Sequence, residues 1–190
     1  MTEQLDHKTF DLVAVLAGRD YPTIDVPLYF NEKLGFEIYQ LEKQRNRTFD
    51  EGEARKLDEQ FDILAKRAES EKYTALLKAI PEQVRRDIYS KVNEEFPTKK
   101  DLLGREEQNP EADTSFTKRL WAVYIQKITA PDGSTSSVDE TAVEALYANA
   151  PTTVHEALNS GISELQTGAR AGFESAAKEV NFLSDASPEG

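Results

Sequence analysis

Cysteine is absent from all 190 residues, and its absence removes a whole class of chemistry. Disulfides, thiolate metal sites and cysteine nucleophiles are excluded, a usage that fits a reducing compartment. Histidine is nearly as scarce, with only His7 and His155 at opposite ends of the chain. A catalytic imidazole needs a nucleophile or carboxylate within hydrogen-bond reach, and the local sequence offers neither histidine such a partner. His155-Glu156 reads as a solvated pair on a helix turn. Long apolar runs are lacking too. The longest, Leu12 to Ala17, is far too short to span a bilayer. The polar, acidic start of the chain does not read as a signal peptide.

Glycine-rich phosphate loops are also missing. Gly161, Gly168 and Gly172 fall inside a helical pattern, without the strand–turn–helix context that a nucleotide motif requires. With so little His and no Cys, an all-carboxylate site for Mg²⁺ or Ca²⁺ is the one metal chemistry left open. Glu51, Glu53, Asp58, Glu59 and Asp62 lie close together, but the interspersed Arg55 and Lys56 favour a solvated helix face. The reading is a protein that is not an enzyme, with no cofactor and no metal. Asn46-Arg47-Thr48 matches a glycosylation acceptor, which carries no meaning inside a cell.

What the chain does have is negative charge, unevenly spread. The net charge is −12. From Ile128 to the end there are ten acids against only Arg170 and Lys178. Such a surface repels phosphate backbones and anionic headgroups, so neither nucleic acid nor a membrane is an expected partner. Tyr and Phe together number sixteen, too many for a wholly disordered chain.

Along the chain, Phe10 to Ala17 suits a short helix or a buried strand equally well. Thr23 to Phe30 alternates apolar and polar residues as a strand does, and Pro27 places that strand at a sheet edge. Asn31 caps a helix over about 32–46 that would bury Leu34, Phe36, Ile38 and Leu41. A second helix over 51–70 shows a clean stripe of Ala54, Leu57, Phe61, Leu64 and Ala68. Tyr73, Leu76, Leu77 and Ile80 continue the helical spacing until Pro81, which opens a helix with Val84, Ile88 and Val92 inward. Thr98 starts a short turn through Leu102 and Leu103, and Gly104 to Asp113 reads as a polar linker.

Phe116, Leu120, Trp121, Tyr124, Ile125 and Ile128 form the most hydrophobic helix and the expected centre of the core. Pro131-Asp132-Gly133 and four following hydroxyl residues form a turn and loop. Ser137 or Asp139 caps a helix ending before Pro151. The fold class expected is mainly α, a small helical bundle with a short N-terminal strand or hairpin and a long amphipathic C-terminal helix. Its organisation would be a helical domain over 1–130, a loop over 131–137, a helical segment over 138–183 and a flexible tail over 184–190.

The last segment carries the functional question. Val154, Leu158, Ile162, Leu165, Ala169, Phe173, Ala176, Val180 and Leu183 recur at steps of three and four, close to an 11-residue repeat that stays on one helix face. Each of the three glycines costs the helix about 1 kcal/mol relative to alanine. Either the protein's own core covers this stripe or a partner does. On the second reading Val154, Leu158, Ile162, Leu165, Phe173 and Val180 are the partner-binding residues, ordering on a partner helix.

Two stretches resemble a known family. Phe10-Asp11-Leu12-Val13-Ala14-Val15-Leu16-Ala17-Gly18-Arg19-Asp20-Tyr21-Pro22, then Val26-Pro27-Leu28-Tyr29-Phe30 and Glu37-Ile38-Tyr39-Gln40-Leu41, resemble the start of tail assembly chaperones of long-tailed phages of actinobacteria. Gly172-Phe173-Glu174-Ser175-Ala176-Ala177 and Val180-Asn181-Phe182-Leu183-Ser184 resemble their ending. The likeness covers roughly the first 45 and last 30 residues and leaves 50–110 unmatched. It implies a non-enzymatic factor of the host cytoplasm that coats the tape measure protein and keeps it soluble and extended while the tail tube forms. The tail tube protein is a further partner it suggests, and the shorter product of a frameshifted pair is the form it implies; self-association of the chain is a separate expectation. A scaffolding or head–tail connector protein of the virion, or a generic cytoplasmic adaptor, is the alternative reading.

Overall fold

The computed structural model describes residues 20–98 and 109–185. Strand β1 spans Thr23–Leu28, followed by helices α1 (Glu32–Arg45) and α2 (Glu51–Ser70), strand β2 (Tyr73–Lys78) and helix α3 (Glu82–Glu95). After the undescribed residues come α4 (Pro110–Tyr124), β3 (Ile125–Thr129), β4 (Thr135–Ser137), α5 (Glu140–Asn149) and α6 (Thr152–Asp185). The apolar run Phe10–Ala17 and the turn at Leu102–Leu103 lie outside the described residues.

The strands form one antiparallel sheet in the order β1-β2-β3-β4, each paired with its sequence neighbour. This overturns the expected helical bundle: the fold is mixed α/β, six helices with a four-stranded sheet among the described residues. The misreading came from two segments. Tyr73, Leu76, Leu77 and Ile80 fit helical spacing, yet Tyr73, Ala75 and Leu77 also alternate. Flanked by paired strands on both sides, the segment turns Ala75 and Leu77 fully inward as strand residues. At Ile125 the helix around Trp121 stops and the backbone becomes extended. The β-branched Ile125, Ile128 and Thr129 then suit a strand better than a further helical turn. A register shift between Leu76 and Leu77 marks an irregularity in the β2–β3 ladder.

The turn expected at Pro131-Asp132-Gly133 is present and folds β3 back onto β4, in part of the stretch read as loop. Gly133 takes φ 83°, the left-handed region open to glycine. Asp132 accepts from the Ser134 amide at 2.9 Å and from its hydroxyl at 2.6 Å, and these bonds hold its carboxyl below the usual range.

One face of the sheet carries Ile24, Val26, Leu28, Tyr73, Ala75, Leu77 and Ile128 against the helices. Trp121, Tyr124, Val143, Val154, Leu158, Ile162 and Leu165 complete this core from α4, α5 and α6. Trp121 is fully buried and donates its indole N–H to Asn159 Oδ1 at 3.0 Å, so its polar edge is satisfied. On the other face Asp25, Pro27 and Lys127 are exposed and Thr74, Leu76 and Lys78 are half-buried.

Candidate functional site

Helix α6 answers half of the question posed by its stripe. Val154 and Leu158 are fully buried, and Ile162 and Leu165 keep 5% and 7% exposure. All four belong to the protein's own core and lie on the sheet, so they are unavailable to a partner in this fold. The assignment of these four as partner-binding residues is therefore corrected. Burial of each such side chain is favourable by about 1.5–3 kcal/mol, which a partner would have to match before drawing it out.

Gly161 explains the close seat of α6 on the sheet. A Cβ there would stand 2.6 Å from Val26 Cγ2 and 2.9 Å from Leu77 Cδ1. Glycine is thus required where helix and sheet touch, and it is not simply a weak point in the helix. Gly172, by contrast, meets nothing within 4 Å. The helix runs on to Asp185, twenty residues past Leu165. Ala171, Gly172 and Ser175 in that stretch are exposed. Phe173 and Val180 lie in its backbone, and their side chains are outside the described residues.

His155 is not a solvated surface residue. Its ring stands 4.9 Å from that of Trp121 and 5.0 Å from that of Tyr147, centroid to centroid, within an aromatic cluster under the start of α6. Among the described residues no group of three His, Asp or Glu is arranged to hold a metal ion. In the acidic stretch of α2, Asp58 pairs with Arg45 and Asp50 caps the helix by accepting from the Glu53 amide at 2.7 Å. No helix of the described residues is long and apolar enough to cross a membrane.

The second candidate surface was not legible as one in the sequence. Helices α1 and α2 form an antiparallel hairpin arm between the paired strands β1 and β2, with Asn31 beside Glu71 and Arg45 beside Asp58. None of the arm's residues joins the core cluster. Helix α2 has no buried residue at all, and its apolar stripe is only half-covered by α1. Phe36, Tyr39, Phe49 and Ile63 are 62%, 54%, 98% and 66% exposed. Phe36 was expected inside with Leu34, but two residues along a helix is a rotation of about 200°, which puts it on the opposite face.

At the base of the arm a groove of about 620 Å³ opens beside Phe30, Leu34, Gly35, Phe36, Ile38 and Ala68. Asn31 locks that base. Its Oδ1 accepts from the Leu34 amide at 3.0 Å, and its Nδ2 donates to Glu71 at 2.7 Å. The Asn31 amide, with Arg67 at 2.8 Å, holds the Glu71 carboxyl below the ordinary carboxylate range. Among the described residues, the arm thus leaves an apolar helical surface uncovered by its own chain. Comparison with known proteins adds no name to this geometry: no family model, no curated protein and no solved structure matches the chain.

Proposed function

We propose that this chain is a non-enzymatic tail assembly chaperone of a long-tailed phage, acting in the host cytoplasm on the tape measure protein. The resemblance of residues 10–41 and 172–184 to that family supports the reading, and so does the shape of α6. The observation that carries it is the twenty-residue run of α6 past Leu165, the last of its described side chains in the core. Along it the apolar spacing continues through Phe173 and Val180. The half of the stripe seated on the sheet anchors the helix; the distal half is the part left to lie along a helical client. Acidic residues flanking it, against so few bases, keep the coated client soluble and select a basic or mixed-charge partner.

Co-expression with the tape measure protein tests this. Phe173→Asp with Val180→Asp should leave the melting temperature unchanged and send the client into the insoluble fraction, whereas Leu158→Asp should unfold the chaperone itself. A client that stays soluble with the first variant would remove distal α6 as its binding surface. Recovery of the chain in purified particles would speak for a virion component and against a chaperone.

A further inference from the structure

The hairpin arm has more apolar surface than two helices can cover. In α2, Ala54, Leu57, Phe61, Leu64 and Ala68 face α1 without any becoming buried. Beside them the groove exposes Gly35 and Phe36. Four helices close such a surface where two cannot. We propose that a second copy of this chain covers it, the two arms packing face to face in opposite directions as a two-fold symmetric four-helix bundle.

Charge permits this occupant and favours this orientation. Residues 32–70 carry ten acids and eight bases, so the arm is nearly neutral. The remainder carries twenty-five acids and fifteen bases, and repels its own copy. Most of that excess lies in residues 128–190, with ten acids against two bases, so two copies can bring their arms together without it. Helix α1 begins with Glu32 and Glu37 around Lys33 and ends with Lys43 and Arg45 beside Glu42. Helix α2 begins acidic, with Glu51, Glu53, Asp58 and Glu59 against Arg55 and Lys56, and ends with Lys66 and Arg67 before Glu69. Turning one arm end for end lays the acidic start of each helix beside the basic end of its symmetry mate.

The same rotation puts the two acidic bodies at opposite ends of the bundle. At 1.5 Å per residue the helices are about 21 and 30 Å long. That separation exceeds the ~8–10 Å over which salt leaves charges interacting. Arms packed in the same direction would set the two bodies side by side. A two-fold contact uses one patch twice, so a single substitution acts on both halves.

Gly35 supplies that substitution, because a Cβ there meets nothing within 4 Å in its own chain. Sedimentation equilibrium over a concentration series should bring the full chain toward twice 21.4 kDa. Gly35→Arg should hold it at 21.4 kDa with an unchanged circular dichroism spectrum and melting temperature. A wild-type chain that stays monomeric throughout, or a Gly35→Arg chain that still pairs, overturns the proposal. So does a chain that is monomeric alone and binds only an added client helix.

Orientation is read separately, helped by the lack of native cysteine. Gly35 and Glu42 are two turns apart on one face of α1. Mixing the single variants Gly35→Cys and Glu42→Cys with a short bismaleimide should bridge two chains. Bridging of Gly35→Cys to Ala68→Cys instead places both bodies at one end and overturns the antiparallel packing.

Discussion

A methyl group added at position 161 would fall on Val26 Cγ2 and Leu77 Cδ1, both within the buried core. Neither neighbour has free space, since Val26 is stiff at χ1 and Leu77 is fully enclosed. Overpacking of this kind costs about 1–3 kcal/mol, more than the ~1 kcal/mol that alanine gains in a helix. Gly161→Ala should therefore lower stability by about 1–2 kcal/mol in urea unfolding. Gly172→Ala, which meets open space, should raise it by up to about 1 kcal/mol. Equal signs for the two would contradict the close seat of α6. Nothing in the sequence separates these glycines, because both interrupt the same stripe. Only the sheet beneath one of them does.

At the scale of the element, helix starts show the physics most plainly. Glu82, in the first turn of α3, accepts from Arg85 through two nitrogens at 2.9 Å and from Arg86 at 3.3 Å. Arg85 is the main cause of a carboxyl pulled down to about 2. The helix N-terminus favours the same charge. A depressed carboxylate stabilises the fold above its unfolded pKa, near 4.5, and that contribution is lost as pH falls toward 2. Glu82→Gln should melt lower than wild type at pH 6, and the gap should narrow as pH falls below 4.5 and close only below pH 2. A gap that stays constant between pH 6 and pH 2 would rule out the ion pairs as its source.

Several element boundaries set by caps were legible, but the Asn109 cap of α4 was not, since it falls in the stretch read as a polar linker. Asn31, Asp50 and Asp139 each accept from an amide three residues on, and α1, α2 and α5 begin after them. The strands β2 and β3 were not, because helical and alternating patterns coincide over so few residues and pairing across the sheet decides between them. The α6 stripe was legible as a stripe. That Val154 to Leu165 meet the protein's own core was not, since that depends on where the sheet lies.

For the whole molecule, the arm is an insertion between two paired strands of the sheet. Leu28 and Tyr73 are cross-strand partners, so the chain leaves the sheet and returns to the same rung. Replacing residues 29–72 with Asn-Gly should join β1 to β2 as a tight hairpin. The product should keep the blue-shifted emission of buried Trp121 and sediment as a monomer; an unfolded product would show that the arm supports the core. The outer side of β1, which no strand among the described residues pairs with, points to a different property. Pro22 accepts from the Ala79 amide, and strand alternation then turns the nitrogen of Pro27 outward. The ring removes one of the three outward donors, those of residues 23, 25 and 27, so an incoming strand finds a broken ladder. That edge thereby resists the cross-β growth that ends in fibrils.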